Sequence, residues 1–584
     1  MRVADVANET EAPTDWQAVD WQLANRRVRN LRCRIFRASQ QGDHRKVRSL
    51  QRLMLRSYSN TLVSVRRVTQ ENAGKQTAGV DNVVVITPQG RAMLADKLQR
   101  HTQPWQGQPA RRTYIPKANG KLRPLGIPTV LDRAMQARVK NALEPEWEAR
   151  FEATSYGFRP GRSAHDAIQQ LQALGRATAS RRWIVDADIE GAFDNIDHGF
   201  LLNAIAGFPA RELVKQWLKA GFLDGGVFHE TPAGTPQGGV ISPLLANIAL
   251  HGMEAALGVW RRDGRIRSDR AVVRYADDYV VFCKTREDAE VTLVELAAWL
   301  AERGLRPSPS KTRIVHLTEG FDFLGYNVRL YRHPTTRRGY KLLIKPSKES
   351  IRKLRERLRR EWLALRGQSA HVVISRLNPI IRGWANYFRN AVSKRVFNSL
   401  DDWMWRRCIR YARHTHPRKG WAWLVRRYFG RFNKSRNDRW VFGDKNTRKY
   451  LLKFAWTPIR RHVQVRGTSS PDDPQLRRYW EARRAQTSVF FGIDQALARR
   501  QRYLCPVCDD SLFNGEKLHR HHVVHRKDGG GDELSNRRLL HRFCHQQIHS
   551  GRAPLAAVQR LKDDAVDAVG VCLSPVHREA HAGF

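Results

Sequence analysis

Six aspartates in two short stretches hold the first chemistry visible in this sequence. In "VVRYADDYVV" (272–281), Asp277 and Asp278 sit between Val272-Val273 and Val280-Val281-Phe282. The pattern predicts two short strands, buried or half-buried, joined by a tight two-residue turn. A surface hairpin would alternate apolar and polar residues, and these flanks are nearly continuous. Neighbouring carboxylates beside buried strands repel each other unless a cation lies between them, and a divalent metal is the usual answer. Alone, the stretch leaves a surface turn and a metal site equally open. In "WIVDADIEGAFDNIDH" (183–198), Ile184 and Val185 begin a strand whose end is crowded by Asp186, Asp188, Asp194 and Asp197. Carboxylates from two strands can clamp two metal ions about 4 Å apart, as nucleotidyl transfer requires. Asp194 and Asp197 are expected to cap or pair locally.

Three further stretches could complete such a site. "YIPKANGKLRPLGIP" (114–128) sets Lys117, Lys121 and Arg123 around an Asn-Gly turn, a cationic hairpin suited to a triphosphate. "TPQGGVISPLLANI" (235–248) offers Gly238-Gly239 for close backbone approach, then Ser242 as the expected cap of a helix with Pro243 at its first position. "PSPSKTRIVH" (307–316) places Lys311 before a strand. A separate chemistry lies near the C-terminus. Cys505, Cys508, His541 and Cys544 form C-x2-C…H-x2-C, a spacing that suits tetrahedral zinc. His545 and His549 are four apart, so one helix face could present both to a single ion.

The elements that must position these residues follow from composition and periodicity. At 584 residues, roughly three to five domains are expected. The chain has 103 Lys plus Arg against 56 Asp plus Glu, a formal net charge of +47. That excess opposes folding by self-repulsion and points to a polyanion. With 17 Trp interleaved, nucleic acid is favoured over a membrane or an acidic protein. No apolar run reaches membrane-spanning length, and the acidic start "MRVADVANETEAPTDW" reads as neither signal nor transit peptide. Seven scattered cysteines speak against a disulfide framework and, with three clustered late, for metal in a reducing compartment.

Residues 1–75 read as Arg-rich helices, and 83–335 as a mixed α/β unit. In "SKESIRKLRERLRREWLALRG", Ser347 is the expected N-cap and Gly367 the stop, with Ile351, Leu354, Leu358, Trp362 and Leu365 on one apolar stripe. The other face carries almost one sign of charge, as a phosphate-facing helix would. Trp403, Trp405, Trp421 and Trp423 stand among arginines further on, and most are expected in the core. "RGTSSPDDPQ" (466–475) reads as a linker.

In order along the chain, "NAGKQTAGVD", "YIPKANGKLRPLGIPT", "SYGFRPGRSAHDAI", "DIEGAFDNIDH", "TPQGGVISPLLANI", "YADD", "FDFLGY", "LNPIIRGWANYFR" and the Cys/His block closely resemble group II intron-encoded proteins. These fuse a reverse transcriptase to a maturase domain and an HNH endonuclease. The resemblance runs from about residue 15 to 555. It implies a multidomain α/β plus α chain: right-hand polymerase fingers and palm, a helical thumb/maturase domain, and a small zinc-containing ββα-metal HNH domain. The implied boundaries are 1–82 for a basic helical RNA-binding extension and 83–335 for fingers and palm. They continue with 336–460 for thumb/maturase, 461–502 for a basic DNA-binding linker region, 503–555 for the HNH unit and 556–584 for a tail.

By this resemblance, Asp188, Asp277 and Asp278 hold two Mg2+ ions. Lys117 and Arg123 grip the incoming deoxynucleoside triphosphate, and Phe193 bars the ribonucleotide 2′-hydroxyl. Gln237, Gly238 and Gly239 form the template and base-pair platform, and Lys311 donates a proton to pyrophosphate. Ala192 departs from the larger residue frequent in relatives, which leaves the fine shape of the nucleotide pocket open. In the HNH unit, His521, His545 and His549 hold a catalytic divalent metal. His522 is then the general base and Asn536 orients it. Structural zinc falls to Cys505, Cys508, His541 and Cys544, with His541 standing where many such ribbons have Cys. His519 has no assigned role.

The implied partners are intron RNA, target double-stranded DNA and deoxynucleoside triphosphates, without a membrane; a homodimer stays open. The expected location is bacterial cytoplasm near the nucleoid, with an organelle matrix as the alternative. The rival readings are a retron or diversity-generating reverse transcriptase, and a splicing cofactor with a decayed polymerase. "LNPIIRGWANYF" and the Cys/His block oppose the first; intact "YADD" and "DIEGAF" oppose the second.

Overall fold

Both aspartate stretches end in one four-stranded antiparallel sheet, ordered Arg313–His316, Trp183–Asp188, Asp278–Cys283, Ala271–Tyr275. The computed structural model describes residues 14–100, 105–116, 122–487, 490 and 492–561. The continuous apolar character of the strands has a direct cause: the sheet is buried on both faces. Val185, Ala187, Tyr279, Val281 and Cys283 join one core, shared with the N-terminal helices. Their alternate neighbours Ile184, Val273, Val280 and Phe282 join another, shared with the helices after residue 347. Asp186 and Asp188 continue the Ile184 face, so the carboxylates begin where the second core ends.

The expected hairpin is present, with its turn one residue earlier than Asp277-Asp278. Tyr275 pairs with Asp278, leaving Ala276 and Asp277 as the turn. Ala276 has φ 58°, which a non-glycine residue adopts only when its surroundings enforce it. The enforcement is visible. The backbone N–H of Tyr156 donates to Arg274 O at 2.9 Å, and that of Arg274 donates to Thr154 O at 3.0 Å. The Arg274 side chain, 2% exposed, donates to Asn247 Oδ1 at 3.1 Å and reaches the Ala276 carbonyl at 3.4 Å. Asn247 in turn donates to Gly157 O at 2.9 Å. Gly157 is glycine because a Cβ there would lie 2.3 Å from the Ala276 nitrogen.

The finger hairpin pairs Ala110–Pro116 with Leu122–Ile127, and joins Phe222–Asp224 in parallel. Residues 117–121, with Lys117, Lys121 and the Asn-Gly turn, lie outside the described residues. Trp21–Gln40, His44–Arg56 and Tyr58–Arg66 pack around Val130–Glu148. After a second sheet (Phe321–Phe323, Tyr326–Arg332, Tyr340–Pro346) come the helices Lys348–Ala364, Ala370–Phe388 and Lys394–Thr415. Ser347 caps the first of these by accepting from Ser350 N, and Gly367 follows its end with φ 79°. The Leu354, Leu358, Trp362 and Leu365 stripe is buried, with Ile351 half-buried. The segment after 460 folds back: buried Asp166 accepts from His462 at 3.0 Å, Arg483 at 2.6 Å and Val465 N at 2.8 Å. Leu518–His522, Arg537–His541 and the helix Arg542–His549 form a ββα unit docked on the N-terminal helices.

Two expectations need correction. Ser242 does not cap its helix. Ile241 already has helical dihedrals, so Ser242 is the first helical residue, Pro243 follows one position later than expected, and the Ser242 hydroxyl accepts from Thr235 at 2.8 Å. The four tryptophans are not core residues either. Trp405 and Trp421 are exposed, while Trp403 and Trp423 are half-buried, because Met404, Cys408 and Leu424 occupy the inward positions of their helices.

Gly157→Ala should force a methyl group into the Ala276 backbone and destabilise the palm by about 1–3 kcal/mol, the usual cost of overpacking. Urea unfolding followed by tryptophan fluorescence should show a lower midpoint. An unchanged midpoint would mean that Gly157 does not clamp the turn.

Candidate functional site

Strand register builds the aspartate site. Asp188 lies directly opposite Asp278, so both side chains leave the same face, and Asp277 adjoins them in the turn. Although its side chain reaches the surface, Asp278 is pushed up to about 7, first by removal from water and then by the charges of Asp277 and Asp188. Asp277 shifts up as well, first by burial, with the charges of Arg123 and Lys311 opposing. Lys311, before its strand as expected, makes an ion pair with Asp188. Arg313 pairs with Asp186 at 2.8 Å. Asp186, Asp188, Asp278, Lys311 and Arg313 share a cleft of about 340 Å³. Mutually repelling carboxylates that draw in the protein's own cations are the oxygen donor set that a hard divalent ion takes.

The neighbouring residues frame this cleft. Phe193 is half-buried and meets Phe158 edge to face, centroids 6.1 Å apart. Its carbonyl accepts from Thr235 N at 2.6 Å. Gln237 O accepts from Gly126 N of the finger hairpin at 2.8 Å, while its amide donates to Asp194 at 3.2 Å. Gly238 has φ 126°, and a Cβ there would lie 2.8 Å from Gly126 O, so glycine is required at this crossing. Gly239 follows in the same turn, its N–H donating to Pro236 O at 3.1 Å. Asp197 caps the next helix by accepting from Phe200 N, the local role expected of it. Phe158, at φ 59° and 48% exposed, had no expected role. The only signal in the sequence was an aromatic between Gly157 and Arg159.

Among the described residues, two groups bring three or more His, Cys, Asp or Glu donor atoms within 4.8 Å of one another. The first is Cys505, Cys508, His541 and Cys544, all buried. His541 Nε2–H donates to Ser511 O at 3.1 Å, and Nδ1 faces Cys508 Sγ at 3.4 Å. That tautomer presents a lone pair to the sulfurs, and the carbonyl fixes the ring as ligand-supporting partners do. The set is compatible with zinc. A partner that sequence spacing does not reveal is Arg66, 3% exposed, which donates to Cys544 Sγ at 3.1 Å.

The second group is His521, His545 and His549, with the last two ring nitrogens 3.2 Å apart. Burial and then the neighbouring imidazoles push His521 down to about 3, and the same causes push His545 down to about 4. Neutral imidazole is the ligating form. His522 and His525 line the same cavity as these three. His522 Nε2 lies 2.9 Å from Asp532 Oδ1, and Asp532 also pairs with Arg526 at 2.7 Å and with Arg537. Asp532 and His525 were not anticipated. Asn536 makes no bond to His522. Its side chain accepts from Val524 N at 2.7 Å and donates to Val524 O and Gly531 O at 3.0 and 2.9 Å. It ties together the loop that follows His522 and does not itself orient that ring.

Known families match four stretches of the chain. The family described as reverse transcriptase (RNA-dependent DNA polymerase) matches residues 115–328, and the N-terminal domain of reverse transcriptase matches 16–98. The group II intron maturase-specific domain matches 351–429, and HNH endonuclease matches 505–551. Protein YkfC of Escherichia coli K12 is 38% identical over 48% of this chain and 83% of its own length. Group II intron-encoded protein LtrA of Lactococcus lactis is 33% identical over 40% of this chain and 49% of its own. An uncharacterized 91 kDa protein in the cob intron of Schizosaccharomyces pombe is 25% identical over 76% of this chain and 63% of its own.

Cys508→Ser should release the metal of the four-residue cluster, because a unit this small depends on its ion to fold. Metal analysis of purified protein should find zinc in the wild type and little in the variant. His522→Ala, outside that cluster, should keep its zinc. Full zinc in Cys508→Ser would remove it from the ligands.

Proposed function

The chain belongs to the group II intron-encoded proteins that join a reverse transcriptase, a maturase domain and an HNH endonuclease, and we propose how its residues divide that work. Its activities are RNA-directed DNA polymerase, maturase and HNH endonuclease, and its substrates are accordingly RNA, DNA and nucleotides. The observation that carries the assignment is the pairing of Asp188 with Asp278 beside Asp277, inside the region that matches reverse transcriptases.

Asp188, Asp277 and Asp278 hold Mg2+ for polymerisation. Two bound ions supply acidification of the primer 3′-hydroxyl and neutralisation of pyrophosphate. Lys117 and Arg123 bind the triphosphate, and the Phe193 ring fills the space a 2′-hydroxyl would need. Gln237, Gly238 and Gly239 support the base pair. Lys311, which pairs with Asp188, gives its proton to the departing pyrophosphate in this reading.

In the HNH unit, Cys505, Cys508, His541 and Cys544 hold structural zinc, while His521, His545 and His549 hold a second divalent ion. That ion supplies charge stabilisation at the cleaved phosphate. His522 takes the proton of the attacking water, and Asp532 holds its imidazole in orientation. Asn536 fixes the loop between them. Intron RNA is bound along the N-terminal helices and the helices after 347. The nuclease nicks target DNA, and the freed 3′ end primes copying of the RNA. The reading puts the protein with nucleic acid, in a bacterial cytoplasm or alternatively an organelle matrix. Among the described residues no helix is long and apolar enough to cross a membrane.

Asp188→Ala, Asp277→Ala and Asp278→Ala should each abolish primer extension on a supplied template while leaving RNA binding near wild type. His522→Ala should do the reverse, keeping primer extension and losing nicking. Loss of both activities in either set of folded variants would count against separate sites.

The RNA surface has its own test. Arg359 and Arg410 are exposed, and both act on the half-buried Arg407, whose charge they and its burial disfavour. Such a ridge of like charge releases counterions on binding RNA. Reversing Arg359 and Arg410 to Glu should weaken RNA affinity and flatten its salt dependence by about one unit of slope for each phosphate the protein no longer neutralises. Arg355 serves less well, since it is half-buried and donates to Ser399 at 3.3 Å. Affinity indifferent to both reversals would show that this ridge is only solvated.

A further inference from the structure

An unassigned cavity of about 450 Å³ lies where the nuclease unit meets the N-terminal helices. That volume is in the range of about 300–1,000 Å³ of small-ligand sites. Trp16, Trp21 and Phe543 give it aromatic walls, and Arg66, Arg91 and Gln547 give it buried polar ones. These three polar side chains are 3%, 6% and 6% exposed. Each keeps a polar atom without a partner: Arg66 Nη1, Arg91 Nε and Gln547 Oε1. Leaving such atoms unpaired costs roughly 1–3 kcal/mol apiece, so a cavity lined by three of them is built for something polar.

The rest of those side chains is firmly held. Gln547 donates its amide to Gln17 O and Val19 O at 2.9 and 2.8 Å, so its free oxygen cannot turn away. Arg66 is fixed by Cys544 and by Trp21, whose ring lies 4.6 Å beneath it. Arg91 donates to Ile86 O at 2.7 Å. The site therefore offers fixed donors and a fixed acceptor between aromatic rings. A base edge presents that same mixture of donor and acceptor, and a base face stacks on aromatic rings. Phosphate has partners at the rim: the Lys75, Arg91 and Arg542 cations lie 5.4, 5.6 and 5.9 Å from the Phe543 ring centre.

We propose that this cavity binds one unpaired nucleotide of a single strand, its base between Phe543 and the tryptophans and its phosphate among Lys75, Arg91 and Arg542. The helix Arg542–His549 then has two occupied faces. Arg542, Phe543, Gln546 and Gln547 turn to the cavity, while His545 and His549 turn to the nuclease centre. A nucleotide held here would anchor its strand beside the position where DNA is cut. The strand is RNA or DNA by the same chemistry, and the experiment separates them.

The test uses full-length, zinc-loaded protein and two pentanucleotides, one carrying a central 5-iodouridine and the other a central 5-iododeoxyuridine. After irradiation, crosslinked peptides are mapped by mass spectrometry. One or both probes should attach to peptides containing Phe543, Trp16 or Trp21, and the reactive one names the strand. Phe543→Ala should reduce that crosslink by about tenfold, given about 1–3 kcal/mol per stacked base, and Phe543→Trp should restore it. Gln546→Trp, at an exposed position, should fill the mouth and block it equally, which decides the matter if Phe543→Ala does not fold. Primer extension by the same variants on a supplied primer should stay at the wild-type rate, so a failure of the polymerase assignment would appear there instead. Crosslinks confined to other surfaces, or unchanged in both blocking variants, would overturn the proposal.

Discussion

Repulsion among Asp188, Asp277 and Asp278 is the constraint on which the catalytic half of the molecule turns. Three carboxylates come to one end of the sheet only because buried strands force them there. Ile184, Val280 and Phe282 on one face, and Val185, Val281 and Cys283 on the other, fix the register, since a slip of one residue would exchange the faces and scatter the acids. The burial that sets the register also withdraws water from Asp278 and lifts its pKa to about 7. Packing energy is thus converted into a site whose charge is best relieved by a cation. The buried Arg274 works on the same problem from behind, holding the turn through Asn247 and the Ala276 carbonyl without approaching the acids' open side.

The local strings carried much of this. The hairpin between Val272 and Phe282 (its turn one residue off), the helix cap at Ser347, the apolar stripe through Leu358 and the spacing of Cys505, Cys508, His541 and Cys544 depend on neighbours in sequence, and were legible there. What escaped depends on distant pairing. Nothing near Asp532 in the sequence marks it as the partner of His522, and Arg66 is 478 residues from the sulfur it meets. The strained Phe158 and the clamp from Gly157 to Ala276 likewise exist only once the palm has closed. The misplaced tryptophans show a limit of residue type as a guide: at Trp405 and Trp421 helical phase overrides the tendency of large aromatics to be buried.

The two metal-type clusters differ in the way their duties require. Three cysteine sulfurs and one imidazole, all buried, make a donor set of the kind that suits a closed tetrahedral ion. The three histidines are graded from buried His521 to exposed His549, and they open onto a cavity shared with His522 and His525. One short helix, Arg542–His549, serves both, placing Cys544 in the closed set and His545 and His549 in the open one. Small helical rotations would therefore disturb both sets together, which gives the closed set a reason to be rigid.

Arg66 extends that rigidity beyond the nuclease unit. It lies in the helix Tyr58–Arg66 of the N-terminal domain, yet its guanidinium is buried against Cys544 and approaches Glu516 at 3.8 Å. A buried arginine costs least where negative charge answers it. Glu71 answers at 3.3 Å, and the rest must come from Glu516 and the cysteine sulfurs across the interface. The apolar contacts run the same way, since Trp16 and Trp21 share one core with Cys505, Val507, Leu539 and Leu540. The nuclease unit is therefore not a bead on a linker. The sulfur of Cys544 accepts from a cation of the polymerase's own N-terminal helices, and each side completes the core of the other.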